Sequence, residues 1–330
     1  MPCYHPLNAI KTDQQKTVNG KDKIIFIKDK TKYMQLPDDI KIQIPCGQCI
    51  GCRLEYSRQW ANRCIIEAKQ WEHNYFITLT YATQHLPIQT TLNTDTGELT
   101  ETETLNPKHL KKFLKDVRRY YKYHYNHDNI RFFACGEYGE KNGRPHYHIL
   151  MYNLPITDLI PYAKNHIGQQ RWQSAQIEKI WGKGIIDIGT VTWESAAYTA
   201  RYIIKKQTGA AAAEAYKTKQ AEFTRMSRMP GIAKDYYDTN KYKIYENDEM
   251  IINKADGSAR KIKPTKYYDR LFDIDEPEIM EQIKKTRKMI AETQMDMELK
   301  KTDKTAEEYL QTKKENKIAQ IQHLKRGIEE

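Results

Sequence analysis

Two histidines separated by a single residue form the most chemically informative pattern in this sequence. His146 and His148 are followed by the apolar run Ile149-Leu150-Met151. Alternate residues of a β-strand project from the same face, so both imidazoles would lie side by side on a strand that continues into a core. Imidazole is the commonest metal ligand among protein side chains. The pattern therefore favours a metal site, although two exposed histidines on a surface strand would have the same spacing.

A third metal ligand is predicted on a neighbouring strand. Residues 131–139 have the composition of a β-strand, and Asn142-Gly143 favours the tight turn of a hairpin. Folding the hairpin about Asn142 brings Glu137 roughly opposite His148. Two imidazoles and one carboxylate would then converge on one point, where they could hold a divalent cation.

Two tyrosines supply a second candidate site. Tyr198 and Tyr202 lie four apart in the helical segment 194–206, so their side chains are neighbours on one helix face. Such a pair usually belongs to a core or an interface. Lys205 and Lys206 follow in the next turn, however, and positive charge helps a phenol with a pKa of ~10 to ionise and act as a nucleophile. Beside a metal that polarises a phosphodiester, a tyrosine oxygen could attack phosphorus and leave a 5′-phosphotyrosyl bond and a free 3′-hydroxyl.

Four cysteines near the N-terminus have the spacing of a third site. Cys46, Cys49 and Cys52 form a C-x-x-C-x-x-C run, and Cys3 is the nearest candidate for a fourth tetrahedral ligand. Structural zinc is the preferred interpretation. Three ordinary reduced thiols and an iron–sulfur cluster are the alternatives. Cys64 differs from these, because it falls on the apolar face of a helix expected over residues 54–71 and is predicted to be core.

The composition indicates a polyanionic partner. The 330 residues include 54 Lys and Arg against 43 Asp and Glu, which gives a net charge of +11 and a pI near 9.1. Nucleic acid is the leading candidate, and the 23 tyrosines, against 7 phenylalanines, suit a wet, base-facing surface. The sequence has neither a run approaching the ~20 apolar residues that span a bilayer nor a signal peptide. We therefore expect a cytoplasmic protein with reduced cysteines and no membrane partner.

The elements that must position these residues alternate along the chain. Their order predicts an α+β fold, in which helices pack on a central antiparallel sheet. The predicted elements are a strand at 75–81, a helix capped by Asn106-Pro107, the hairpin at 130–153, a helix at 175–181, a strand at 185–192 and the helix at 194–206. The polar stretch 82–103 is predicted to be a loop. Residues 241–252 are predicted to be one arm of a hairpin that turns at Asp256-Gly257.

Three stretches resemble motifs of the HUH endonuclease superfamily. Pro145-His146-Tyr147-His148-Ile149-Leu150 is similar to its metal motif, with Tyr147 in place of the usual aliphatic spacer. Tyr198-x-x-x-Tyr202-x-x-Lys205-Lys206 resembles the two-tyrosine motif of its rolling-circle replication initiators. Phe76-Ile77-Thr78-Leu79-Thr80 looks like the strand that opens the superfamily's core. The cysteine run and Met226-Ser227-Arg228-Met229-Pro230-Gly231 are similar to replication initiation proteins of small single-stranded DNA phages, the gokushovirus branch of the microviruses.

The resemblance implies a role for each of these residues. His146, His148 and Glu137 would bind Mg²⁺ or Mn²⁺, and Tyr198 and Tyr202 would alternate as nucleophiles with help from Lys205 or Lys206. The fold would be an HUH-type nuclease core, a central antiparallel sheet flanked by helices. The substrate would be single-stranded or supercoiled phage origin DNA in the cytoplasm of a bacterial host cell, with host helicase and polymerase as further partners. No Walker-type motif is present, so no fused helicase is expected.

The expected organisation has four segments. Residues 1–72 would form a cysteine-rich segment and helix packed on the core, and 73–210 the endonuclease core. Residues 211–277 would form a basic extension containing the second hairpin, and 278–330 a charged helical tail.

The sequence also offers candidate residues for DNA contact, and it leaves functions other than replication initiation possible. The candidates for DNA contact are Arg144, Arg201, Lys111 and Lys115. The alternatives are a relaxase or transposase of the same superfamily, a zinc-dependent hydrolase, and a non-catalytic zinc-containing DNA-binding regulator. The hydrolase would cleave DNA without forming a protein–DNA bond, and the regulator would bind DNA without cleaving it.

Overall fold

A computed structural model of the chain describes residues 3–16, 22–92, 97–139, 142–165, 168–205, 210–253 and 258–322. The strands are β1 (Leu7–Lys16), β2 (Asp22–Phe26), β3 (Lys41–Ile44), β4 (Asn74–Thr80), β5 (Ile88–Leu92), β6 (Leu99–Glu103), β7 (Arg131–Tyr138), β8 (Pro145–Tyr152), β9 (Ile160–Lys164), β10 (Gln170–Gln173), β11 (Ile186–Thr190), β12 (Phe223–Met226), β13 (Met250–Asn253) and β14 (Ala259–Ile262). The helices are α1 (Lys30–Met34), α2 (Ile50–Ala68), α3 (Pro107–Tyr125), α4 (Ala175–Trp181), α5 (Trp193–Lys205), α6 (Ala210–Ala215), α7 (Lys234–Glu246), α8 (Lys266–Asp275), α9 (Pro277–Leu299) and α10 (Ala306–Gln322).

Contacts divide the chain into two compact units. Among the described residues, the first contains 3–56 and 285–322, and the second contains 57–284. The boundaries expected from the sequence, at residues 72, 210 and 277, remain predictions.

The second unit is built on a seven-stranded antiparallel sheet. Its strand order is β12-β7-β8-β4-β11-β10-β9. The central strands β7 and β8 are buried on both faces. Their sequences are therefore nearly continuous apolar runs and do not alternate between apolar and polar residues. This sheet with its helices confirms the predicted α+β class.

Helices cover both faces of the sheet. On one face, α2, α5, α7 and α8 pack over a core that includes Phe76, Leu150 and Tyr237. On the opposite face, α3 and α4 pack over Leu79, Tyr147 and Ile149. As predicted, α3 begins at Pro107, and the side chain of Asn106 caps it by accepting a hydrogen bond from the amide of Lys108 at 3.0 Å.

The first unit contains a three-stranded antiparallel sheet in the order β2-β1-β3. Its four cysteines cluster, and its C-terminal part is helical. A charged helical tail is therefore confirmed, although it consists of two helices, α9 and α10, separated at residues 300–305.

Two local expectations were wrong. Residues 82–103 include a β-hairpin, in which β5 pairs with β6 from Ile88↔Glu103 to Leu92↔Leu99; the threonine-rich, alternating composition of both arms favours strands. Residues 241–246 are helical, because Tyr237, Ile244 and Tyr245 recur at helical spacing and are buried along α7. The predicted second hairpin is present as β13 and β14, and its expected turn at Asp256-Gly257 lies outside the described residues.

Within the described part of the chain, none of the helices combines the length and the apolar character required to cross a membrane.

Candidate active site

The pairing of β7 with β8 determines which side chains share the face of the sheet under α5. Glu137 lies opposite His146, and Cys135 lies opposite His148. The expectation that Glu137 lies roughly opposite His148 was therefore wrong by two residues, because the observed register of β7 against β8 differs from that of a hairpin folded about Asn142. A shift of two preserves the side on which a strand residue projects, so the carboxylate still faces both imidazoles.

The carboxylate and both imidazoles meet on the face of the sheet under α5, where all three are buried. One oxygen of Glu137, Oε1, lies 2.8 Å from His146 Nε2 and 2.7 Å from His148 Nε2, and the two Nε2 atoms are 3.1 Å apart. Glu137 is 1% exposed, His148 3% and His146 9%. Two imidazole nitrogens and a carboxylate oxygen fit a divalent cation, and this group could hold one.

Contacts at the opposite ring nitrogens orient both histidines. His146 Nδ1 lies 3.0 Å from the carbonyl oxygen of Arg144, and His148 Nδ1 lies 3.0 Å from the hydroxyl of Thr78 on β4. The carbonyl requires Nδ1 of His146 to carry the proton, which leaves Nε2 with a lone pair for a metal. Sequence reasoning did not identify Thr78, because its approach to His148 depends on the register of β4 against β8.

The histidines also stabilise the charged form of the carboxylate. Burial raises the pKa of Glu137, but the hydrogen bonds that His146 and His148 donate when their Nε2 atoms carry protons outweigh that effect, so the net shift of this pKa is downward. An ionised carboxylate is the form that a cation requires.

Tyr198 on α5 contacts this group directly. Its hydroxyl donates to Glu137 Oε1 at 3.5 Å, and its ring stands edge-on to the His148 ring with centroids 5.1 Å apart. Phe76 stacks on the His148 ring, with centroids 5.3 Å apart, and meets the Tyr198 ring edge-on at 6.4 Å. The phenol is 7% exposed, so it is held in a mostly apolar pocket beside the three polar groups.

The remaining residues predicted for this site have different positions. Tyr202 belongs to α5, one helical turn after Tyr198, but its side chain and that of Lys205 lie outside the described residues, as does the whole of Lys206. Arg201 is a partly exposed residue of the same helix.

The other candidates for DNA contact lie off this helix. Arg144 precedes the first histidine, and its guanidinium donates to the carbonyl of Tyr81 at 2.8 Å. Lys111 and Lys115 are exposed on α3, which packs on the opposite face of the sheet. The structure therefore does not bring these two lysines to the site.

The four cysteines predicted to bind zinc form a separate cluster in the first unit. The sulfur atoms of Cys3, Cys46, Cys49 and Cys52 all lie within 4.8 Å of one another. Cys3 and Cys49 are 4.0 Å apart, close to the ~3.8 Å that separates two sulfurs in a tetrahedral site with zinc–sulfur bonds of about 2.3 Å. The cluster could bind Zn²⁺.

Backbone amides donate to these sulfurs, as expected around thiolates. The amide of Cys46 lies 3.2 Å from Cys3 Sγ, and that of Tyr4 lies 3.4 Å from Cys49 Sγ. Burial raises the pKa of Cys49, but hydrogen bonds from the amides of Cys52 and Tyr4 and from the neighbouring thiols lower it to about 7. Burial raises the pKa of Cys52 to about 12. The prediction that Cys64 is a core residue is confirmed, since this cysteine is fully buried in the core of the second unit.

Fold and site together define a class: an α+β protein with a candidate metal triad on its central antiparallel sheet and a tyrosine of a packed helix against that triad. A family model described as "Replication-associated protein ORF2/G2P" matches residues 74–207, which include all of these groups. The chain belongs to this family of replication-associated proteins of small single-stranded DNA phages.

Individual relatives extend the match beyond the central segment. The replication-associated protein ORF2 of Spiroplasma virus 4 is 34% identical over 83% of this chain and 81% of its own length. The replication-associated protein VP4 of Bdellovibrio phage phiMH2K is 36% identical over 49% of this chain and 48% of its own. The replication-associated protein ORF4 of Chlamydia phage 1 is 32% identical over 49% of this chain and 38% of its own. No solved structure matches.

Proposed function

We propose that this replication-associated protein is a DNA-nicking and strand-transferring endonuclease with an HUH-type core, and that it initiates rolling-circle replication at the phage origin. The observation that carries the proposal is the contact between Tyr198 and Glu137 Oε1, the oxygen that also meets both imidazoles. A phenol beside a candidate cation site is the arrangement that nucleophilic attack on a phosphodiester requires.

In this proposal, the sheet residues hold the reacting phosphate and α5 supplies the nucleophile. His146, His148 and Glu137 would hold Mg²⁺ or Mn²⁺, which when bound supplies Lewis-acid stabilisation of charge on the non-bridging oxygens. The phenol loses its proton, its oxygen forms a bond to phosphorus, and the bond from phosphorus to O3′ breaks. The departing O3′ takes up a proton and becomes a free 3′-hydroxyl. The 5′-phosphotyrosyl bond preserves the energy of the cleaved linkage, so the same centre can rejoin ends.

Tyr202 is proposed as the second nucleophile. It follows Tyr198 by one turn of α5, so a second attack would need no dissociation of the first product. Lys205 and Lys206, which follow Tyr202 in the sequence, are proposed to assist by favouring the ionised phenol. The proposed partner is single-stranded or supercoiled origin DNA, with host helicase and polymerase acting afterwards in the bacterial cytoplasm.

A covalent adduct tests the proposal. The full chain is incubated with the phage's own single-stranded genome and Mn²⁺, and the mixture is separated on a denaturing gel. We expect a protein–DNA species that EDTA abolishes and that the double variant Tyr198→Phe/Tyr202→Phe does not form. Tyr121→Phe is the matched control, because Tyr121 is fully buried on the opposite face of the sheet and its hydroxyl has no hydrogen-bond partner among the described residues.

The outcomes separate the competing functions. Cleavage without an adduct would contradict the proposal in favour of a metal-dependent hydrolase. Binding without cleavage would favour a non-catalytic regulator. An adduct that one single tyrosine variant loses completely and the other forms in full, with no second strand transfer in wild type, would favour a single-tyrosine relaxase or transposase.

For the cysteine cluster we propose structural Zn²⁺ with Cys3, Cys46, Cys49 and Cys52 as ligands. The sulfur separations and the amide hydrogen bonds support four thiolates around one ion. Cys3 is 43 residues from Cys46 in the sequence, so the ion would fix the start of the chain to the loop that leads into α2. A structural zinc contributes to folding and not to the chemistry at the sheet.

A further inference from the structure

The connection between β12 and α7 carries an exposed tip, formed by Arg228, Met229 and Pro230. Met229 is 95% exposed, the largest fraction among the large apolar side chains in the described part of the chain. Both neighbours are also exposed, as is Arg225 in the preceding strand. The tip thus presents one exposed apolar side chain that follows two exposed arginines in the chain.

The backbone beneath this tip is fixed by hydrogen bonds at four consecutive carbonyl oxygens. Arg131 Nη2 donates to the carbonyls of Pro230 and Gly231, each at 3.0 Å. The two carbonyls that follow in the chain are bonded as well: Arg63 donates to Ile232 at 2.8 Å and Tyr268 donates to Ala233 at 2.6 Å.

Buried charges perform much of this anchoring. Arg131 and Glu67 are 5% and 1% exposed and form an ion pair, and the second carboxylate oxygen of Glu67 accepts from the amide of Ala233 at 2.5 Å. Arg63 is stacked between aromatic rings, 3.8 Å from the Tyr267 ring centroid. Burial of charge is costly unless partners compensate. Here the partners are largely main-chain atoms of residues 230–233, so the charges hold the tip's backbone while the Met229 side chain stays in solvent.

The tip is attached to the strand that carries the candidate active site. Arg131 at the start of β7 donates to the carbonyl of Pro230 in the tip, and Glu137 lies six residues further along β7, or about 20 Å at the usual strand rise. A duplex rises 3.4 Å per base pair, so this span is about six base pairs. Single exposed apolar residues are common on proteins, but one on a fixed backbone with two exposed arginines before it, on the strand of the candidate active site, has the features of a side chain that wedges between bases.

We infer that Met229 inserts between stacked bases of the origin duplex and opens the strand that the active site cuts, with Arg225 and Arg228 facing the adjoining phosphates. This inference rests on the proposed DNA-nicking function and adds to it how the duplex substrate becomes single-stranded. An apolar wedge offsets part of the cost of unstacking, and only a paired substrate incurs that cost.

Two substrates of the same sequence distinguish a wedge from a general DNA contact. Adduct formation is timed with Mn²⁺ on the single-stranded phage genome and on its supercoiled double-stranded form. For Met229→Ala we expect a rate about tenfold lower on the supercoiled form and unchanged on the single strand. Met229→Leu, which keeps an apolar wedge, retains the wild-type ratio. Met34→Ala is the matched control, because Met34 is 73% exposed in the other unit.

A second readout does not depend on cleavage. Permanganate modifies unpaired thymines, so opening of the supercoiled form can be mapped with the Tyr198→Phe/Tyr202→Phe chain with and without the Met229→Ala change. We expect opening only when Met229 is present. Equal rate losses on both substrates, no rate loss on either, or unchanged permanganate reactivity would overturn the inference. Absence of any adduct with wild type would instead overturn the nicking function, while the permanganate result would still decide the role of the tip.

Discussion

At the scale of single residues, the hydroxyl of Thr78 helps to determine which nitrogen of His148 faces Glu137. A histidine that binds metal through one nitrogen usually donates a hydrogen bond from the other, and that contact fixes the ring's orientation and tautomer. Thr78 provides this partner at 3.0 Å, and the carbonyl of Arg144 does so for His146 at 3.0 Å. One partner is a side chain and the other is main chain, so only the first can be removed by substitution.

Replacing Thr78 by Val should weaken Mn²⁺ binding by about 10- to 100-fold, because it removes the hydrogen bond that orients His148 while keeping the β-branched shape. Titration of the DNA-free protein with Mn²⁺, followed by electron paramagnetic resonance of the free ion, measures this directly. Thr78→Ser is the control and should retain most of the affinity. Wild-type affinity in the Val variant would show that this contact does not orient the ligand.

At the scale of elements, a helix and a strand of the second unit each bury a charged side chain, and each of these charges needs a partner. The buried ion pair between Glu67 on α2 and Arg131 on β7 joins the helix layer to the sheet. The indole of Trp71 donates to the same carboxylate at 3.1 Å. Removal of one member would leave a charge without its main partner in the interior.

Arg131→Met should lower the free energy of unfolding by about 3–5 kcal/mol, because Glu67 would be buried without its main partner. The double variant Glu67→Gln/Arg131→Met should recover part of the loss, since no buried charge then remains. Urea denaturation followed by circular dichroism gives both values. A double variant as unstable as the single one would indicate that the lost main-chain hydrogen bonds, and not the unpaired charge, dominate.

The cysteine cluster also joins distant elements, since it brings Cys3 together with the cysteines at residues 46–52, at and before the start of α2. The purified full chain should contain about one zinc per molecule, and Cys49→Ser should reduce that content severely and lower the thermal stability of the protein. Elemental analysis measures zinc and iron together. Cys64→Ser, at a fully buried cysteine outside the cluster, should keep the zinc. Iron in place of zinc, or a metal-free wild type, would contradict the assignment.

At the scale of the whole molecule, the net charge of +11 acts on any DNA partner through the release of counterions. Binding to the single-stranded genome should weaken steeply as salt rises from about 50 to 200 mM, with a slope of about −0.7 in log–log form for each phosphate contacted. Fluorescence anisotropy with EDTA present separates this binding from cleavage. Affinity independent of salt would contradict a phosphate-dominated interface.

The same titration tests two lysines far from the candidate active site. If Lys111 and Lys115 contact phosphates, the variant Lys111→Gln/Lys115→Gln should flatten the slope by about 1.4. An unchanged slope would indicate that the exposed face of α3, on the side of the sheet opposite Tyr198, is simply solvated.

Much of the core was predictable because its signals are local. The strand Tyr75–Tyr81, the capped helix at Pro107 and the helix that carries Tyr198 each follow from residue type and period. By contrast, β9 and β10 were not anticipated, since the edge strand β9 is mostly exposed and its neighbour β10 is only half-buried, so neither has the apolar pattern of a core strand. The β5–β6 hairpin was missed because its polar, threonine-rich arms bury little, so no apolar pattern marked them.

The sequence by itself determined that two imidazoles share one strand face and that a carboxylate lies on the adjoining strand. Side chains alternate between the two faces of a strand, so an error of two residues in the predicted register leaves the carboxylate on the same face. It also indicated that four cysteines could form one metal site and that the protein carries a net positive charge. Only the tertiary structure decided that Tyr198, 50 residues after His148, meets the same carboxylate oxygen, and that Thr78 and Arg131 support His148 and the Met229 tip. Those contacts depend on how α5 packs on the sheet and on the register between distant strands, and neither is encoded in any short stretch of the chain.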